Sequence, residues 1–193
     1  MPRIARSSLL TLEAYSRERA RIRASVISHK KNRTVRLGEY ITLIFEDELT
    51  VRYQIQEMLR IERIFEEEGI QGELNAYNPL IPDGKNLKAT MLLEYPDPSE
   101  RKRALGRLIG VEDKVWICVD GFTRVRAIAD EDLDRENEKK TSSVHFLRFE
   151  LTDEMILGAR EGSAVDAGIE HANYSASVRL SNATRDSLVR DFG

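Results

Sequence analysis

From Asp47 to Asn78 the apolar residues recur at helical spacing, about 100° apart around one axis, which places Val51, Ile55, Met58, Leu59, Ile61 and Phe65 on a common face. Glu62 falls inside that face, between Val51 and Ile55 on the wheel. An unpaired carboxylate among apolar side chains is costly, so the pattern predicts a partner for it. Gly69 is the expected break, after which Ile70, Leu74 and Tyr77 continue at i, i+4, i+7 to about Asn78, with Glu73 at the edge of their stripe. Asp47 suits an N-cap and Glu48 the first turn.

An earlier helix is predicted from about residue 9 to 31, with Leu12, Tyr15, Ile22 and Val26 as its stripe. Arg19 lies within that stripe and is the candidate partner of Glu62. Between the two helices, Ile41, Leu43 and Phe45 alternate with Tyr40, Thr42 and Ile44. Both sets are largely apolar, the pattern of a central strand covered on two faces, with Gly38 marking a turn or bulge before it. Further strands are predicted in LKATMLLEY, KVWICV, FTRVRAIA and SSVHFLRFEL, and Asp120-Gly121 is a tight-hairpin dipeptide between the second and third of these. DPSERKRALGRLIG, with Ser99 as cap, TDEMILGAREG, and SNATRDSLVRDFG, with Ser181 as cap, read as short helices. AGIEHANYSASVRL reads as an irregular or extended passage, and the charged run from Asp130 to Lys140 as a solvated loop. Long helices first and hairpin-linked strands later predict an α+β fold, a mostly antiparallel sheet packed against long N-terminal helices.

Length and charge refine this picture. A chain of 193 residues suits a single domain, 1–193, with the basic N-terminal helix as a candidate arm. The net charge is −3, yet the first forty residues hold ten Lys and Arg against three Glu, so the remainder is acidic. Such a segment docks on an acidic surface or binds nucleic acid. Nucleic acid ranks third among the functional readings, because no aromatic residues interleave with the arginines. No apolar run reaches the roughly 20 residues that span a membrane, the N-terminus lacks a secretion signal, and the expected location is cytoplasmic. The single cysteine, Cys118, cannot form an internal disulfide.

No dinucleotide fingerprint, paired CxxC, HExxH, nucleophile elbow or calcium loop is present, so no catalytic motif is recognised and no cofactor is expected. Glu57, Glu62, Glu66 and Glu73 could resemble a carboxylate metal site, but the helix-bundle version needs Glu-x-x-His pairs that neither helix contains, and no metal is expected. His145 reads as a satisfied sheet residue, whereas His171, beside Glu170, is more open to function. If the protein binds a small molecule, the candidate pocket residues are Glu57, Arg60, Glu62, Glu73, Tyr77, Asn78 and His171.

The segments FEDELTVRYQIQEMLRIERIFEEEGIQGELNAYNPLIP, LKATMLLEYPDPSERKRALGRLIG and GIEHANY resemble a family of bacterial proteins known only as a domain of unknown function. The resemblance runs from about Tyr15 to Phe192. Members tend to be encoded beside rubrerythrin-like proteins and iron–sulfur oxidoreductases, which implies a link to oxidative-stress or electron-transfer chemistry. With one cysteine and no iron–sulfur pattern, the chain fits an accessory role and not that of electron carrier. The resemblance thus favours a non-catalytic accessory or interaction protein, with a redox protein or a second copy of the chain as partner. A small-molecule-binding protein or enzyme is the alternative.

Overall fold

Local chemistry sets the helix boundaries in the computed structural model, which describes residues 3–131, 135 and 139–193. Thr11 accepts a hydrogen bond from the Ala14 amide and starts α1 (Leu12–Lys30), which buries Tyr15 and Val26. Asp47 and Thr50 form a reciprocal capping box at the start of α2 (Glu48–Ile61). The break after α2 lies at residues 62–66 and not at Gly69. Arg63 takes a left-handed conformation there, with φ of 55°, and Gly69 sits within the first turn of α3 (Glu67–Tyr77). The basic N-terminal helix lies along α2.

The expected central strand is β2 (Ile41–Phe45), an inner strand of its sheet, and the residues before Gly38, not read as a strand, form β1 (Thr34–Leu37), its hairpin partner. Gly38 turns the hairpin at φ of 74°, where a Cβ would meet the Tyr174 hydroxyl at 2.6 Å. The chain continues through β3 (Asn86–Leu93), α4 (Pro98–Arg107), β4 (Val115–Val119), β5 (Val125–Arg126) and β6 (Ile128–Ala129). It closes with β7 (Val144–Glu150), α5 (Asp153–Arg160), β8 (Val165–His171), β9 (Tyr174–Arg179) and α6 (Asn182–Leu188). Asp97, followed by Pro98 at the first helical position, caps α4 in place of Ser99. The passage AGIEHANYSASVRL forms the β8–β9 hairpin, and Ser181 caps α6 as expected. Part of the charged run, residues 132–134 and 136–138, lies outside the described residues.

Two antiparallel sheets result, ordered β1-β2-β3-β7-β6 and β5-β4-β8-β9, so the fold is α+β as its pattern predicts. Both sheets give one face to the same core. Leu43, Met91 and Phe149 of the first pack in one cluster with Ile117, Ala167 and Ile169 of the second, and α4, α5 and α6 seal it. A smaller cluster joins Val51, Ile55 and Leu59 of α2 to Ile70 and Leu74 of α3 and to Ile4. The first sheet therefore has a second face, carrying Ile44, Thr90, Leu92, Val144 and Phe146, that the helical unit covers only in part. No helix among the described residues is long and apolar enough to cross a membrane.

Candidate functional site

The seven residues singled out in the sequence occupy several separate places. Glu57 lies between α2 and α1, where Arg19 donates to both its oxygens at 2.7 and 2.9 Å, Tyr15 donates at 2.6 Å and Arg60 at 3.3 Å. The Arg19 guanidinium, aided by Tyr15 and Arg60 and opposed by burial, holds the Glu57 carboxyl down at about 2. Burial and the Glu57 carboxylate push the Tyr15 phenol up. Arg19 thus answers Glu57 and not Glu62.

Glu62 is the C-cap of α2 and is exposed, so it does not enter the apolar cluster. Burial, with the Glu62 charge as the smaller cause, raises the Glu73 carboxyl. Asn78 clasps the backbone of Ile4, accepting from its amide at 2.9 Å and donating to its carbonyl at 3.1 Å. His171 donates from Nε2 to the Ile109 carbonyl at 3.1 Å and accepts the Asn173 amide at Nδ1, within the second sheet. Tyr77 alone of the seven lines the cleft over the first sheet.

That cleft, of about 270 Å³, lies between the outer face of β2, β3 and β7 and the helices α2 and α3. Ile44, Leu92, Val144 and Phe146 form its floor, while Val51, Tyr77 and Leu80 wall it and Gln54 and Lys30 supply polar groups. Two-residue alternation puts these floor positions on one face, and the same alternation carries past Ile44 to Glu46. Glu46 is only 9% exposed. Its Oε1 accepts from Thr90 Oγ1 at 2.7 Å and its Oε2 from Thr50 Oγ1 at 2.5 Å. Lys30 is the one cation on the cleft's lining besides its neutral groups, yet no ion pair within 4.0 Å reaches Glu46 among the described residues. A buried carboxylate with two neutral donors and spare lone pairs is a strong acceptor aimed into an apolar space.

Sequence reasoning passed over Glu46 because IFED reads naturally as strand end followed by helix cap. The available signal was an acid two residues beyond Ile44 on a strand face otherwise apolar. Among the described residues, the group able to offer three metal-ligand atoms within 4.8 Å is Glu112, Asp130 and His145, on the other side of β7.

A search of curated proteins finds no match. Among solved structures, the crystal structure of a protein of unknown function from Burkholderia pseudomallei K96243 aligns with a TM-score of 0.95 and 50% identity, covering 100% of both chains. Residues 3–192 match a family described as protein of unknown function, DUF3501. With that match spanning nearly its full length, the chain belongs to the DUF3501 family.

Proposed function

We propose that this is a cytoplasmic binding protein whose cleft over the first sheet takes a compact, largely apolar molecule bearing an amine or another strong hydrogen-bond donor. The observation that carries this reading is Glu46. A buried anion without a cation within ion-pair distance is a stability liability that folding alone does not require, and such groups concentrate where a ligand completes the pairing. The surrounding apolar floor supplies contact area, and Tyr77 and Gln54 supply orienting polar atoms. The unbridged thiol of Cys118 fits a reducing compartment.

The test is a thermal-shift and calorimetric comparison of alkylamines and benzylamine with the matching alcohols and carboxylates. Saturable stabilisation by the amines, lost in Glu46→Gln, is expected. Equal response to carboxylates, or amine binding that survives Glu46→Gln, contradicts the reading.

One observation favours the accessory role as a second reading. The turn after α2 leaves Ile61 and Phe65 exposed at 61% and 72%, a pair of large apolar side chains suited to docking on a protein surface. A redox protein or a second copy of the chain are the occupants proposed. Recovery of an iron–sulfur or rubrerythrin-like protein from the native host, lost on Phe65→Ser, supports the first. Concentration-dependent dimerisation lost on the same change supports the second.

A further inference from the structure

His145 precedes Phe146 on β7, so its ring leaves the sheet on the face opposite the cleft. It is wholly buried. Its Nδ1 lies 2.5 Å from Asp130 Oδ2. Asp130 is itself held in place: its Oδ1 accepts from the Phe146 amide at 2.9 Å and from Arg135 at 3.3 Å, and its own amide donates to the Phe146 carbonyl at 2.8 Å. The backbone there is left-handed, with φ of 48°, a conformation few non-glycine residues adopt.

Three oxygens converge on the other ring nitrogen. Thr141 Oγ1 lies 2.9 Å from Nε2, the Ser142 carbonyl 3.1 Å and Glu112 Oε2 3.8 Å, while Thr141 Oγ1 and Glu112 Oε2 are 3.3 Å apart. With its Nδ1–H given to Asp130, a neutral His145 presents a lone pair at Nε2, and the Thr141 hydroxyl has one proton to give, to Nε2 or to Glu112. The Ser142 carbonyl is left facing an acceptor, and a metal ion at the centre of this donor set meets it in full. Bonds of about 2.0–2.2 Å to a four- or six-coordinate ion set adjacent ligands about 3.0–3.5 Å apart. Of the observed spacings, 3.1 and 3.3 Å fall within that range, 2.9 Å just below it and 3.8 Å above it. Glu112 and Thr141 are both buried, at 5% and 1% exposure, so the donor set is sheltered from competing water.

We infer that this cluster binds one divalent transition-metal ion through His145 Nε2, Glu112 Oε2, Thr141 Oγ1 and the Ser142 carbonyl. Asp130 acts on the far nitrogen as a positioning residue, fixing the ring so that Nε2 carries the lone pair, the arrangement metal-bound histidines commonly show. One nitrogen with three oxygens and no thiolate selects zinc, manganese, cobalt or iron(II) over soft copper(I). The Glu112 carboxylate supplies the one negative charge of this donor set. His145 also shares its strand with the cleft: the Phe146 amide is anchored by Asp130, and the Phe146 ring floors the cleft.

The experiment uses the full chain, purified without chelator and with any histidine tag removed, titrated with Co²⁺ alone and then displaced with Zn²⁺. One equivalent of Co²⁺ with visible d–d bands is expected, together with a melting temperature that rises with free metal. Glu112→Gln and Asp130→Asn should each weaken binding by about 10-fold or more while retaining the wild-type circular dichroism. Should either variant fail to fold, the wild-type protein still decides, because bound Co²⁺ must shift the ring resonances of His145 and not those of His29 or His171. Absence of saturable one-to-one binding overturns the inference. So does binding that both folded variants leave unchanged, or a cobalt shift at another histidine.

Discussion

The guanidinium of Arg19 closes on both carboxylate oxygens of Glu57, at 2.7 and 2.9 Å, and ties α1 to α2. Because the folded state holds the Glu57 carboxyl at about 2, below its ordinary 4.5, its contribution is present above pH 4.5 and is lost as pH falls through about 2. Glu57→Gln should lower stability by about 1–2 kcal/mol at pH 7, a figure discounted because Arg19 is partly exposed. The difference between variant and wild type should shrink steadily in denaturant titrations taken from pH 5 to pH 2. A constant difference over that window would show that the charge is not what matters.

The same pair shows what was legible beforehand. An arginine in the stripe of α1 and an acid on α2 were both visible as periodic features, and an ion pair between the two helices followed. Which acid answers was not visible, because it depends on where α2 stops. Arg63 in its left-handed conformation ends the helix just past Glu62, and Glu62, Ile61 and Phe65 are left in solvent. Alternation revealed most strands and the antiparallel arrangement, and Asp120-Gly121 does turn the chain. But β4 and β5 pair only from Ile117 and Val125 outward, so the hairpin is not tight, and FTRVRAIA, read as one strand, divides between the two sheets as β5 and β6. It could not show that the strands divide into two sheets, nor that Glu112, 33 residues from His145 along the chain, meets it in the core. Those are long-range pairings that no local period encodes.

Tyr174 joins the two sheets. Its hydroxyl donates to the Leu37 carbonyl at 2.5 Å and accepts from the Tyr40 amide at 3.2 Å, across the turn at Gly38. Tyr174→Phe keeps the ring and removes both bonds, so a loss of about 1–2 kcal/mol is expected in urea titrations. Amide exchange should speed up at Tyr40 in particular. Unchanged exchange there would mean that water replaces the hydroxyl without loss.

Gly168 lies under Trp116, where a Cβ would come within 2.3 Å of Cζ2 and 2.6 Å of Cε2, with the Ala176 carbonyl 2.9 Å away on the other side. Gly168→Ala must therefore displace the indole, an overpacking worth about 1–3 kcal/mol. Trp116 is the only tryptophan in the chain, so its emission reports the displacement directly. A variant with wild-type emission and stability would show that the β4–β8 pairing yields more easily than the contacts suggest.

Arg33 is buried against the C-terminal end of α6 and the residues after it, donating to the carbonyls of Phe45, Glu46 and Ser187 and, at 2.5 Å, to Asp191. Burial still pushes the Asp191 carboxyl up to about 6, against the pull of Arg33. A carboxyl raised above its ordinary 3.8 favours folding below about pH 4, and that contribution is lost as pH rises through about 6. Arg33→Met removes the pull and raises the group further, so the variant should lose about 3–5 kcal/mol at pH 7 and clearly less at pH 5. Equal losses at both values would assign the effect to the carbonyl bonds alone.

Glu46 is expected to trade stability for binding. Glu46→Gln is nearly isosteric: its amide oxygen can still accept from Thr50 or Thr90, while the buried charge that no ion pair offsets among the described residues disappears. Neutralising a charge of that kind should raise stability at pH 7, by about 1 kcal/mol, at the same time as it removes amine binding. The two readouts separate the explanations. A carboxylate that serves only to cap and join α2 to β3 through its two threonines would give a variant that is less stable. One that awaits a ligand gives a variant that melts higher in the absence of amine and no longer responds to it, and both can be measured in a single series of thermal scans with and without benzylamine.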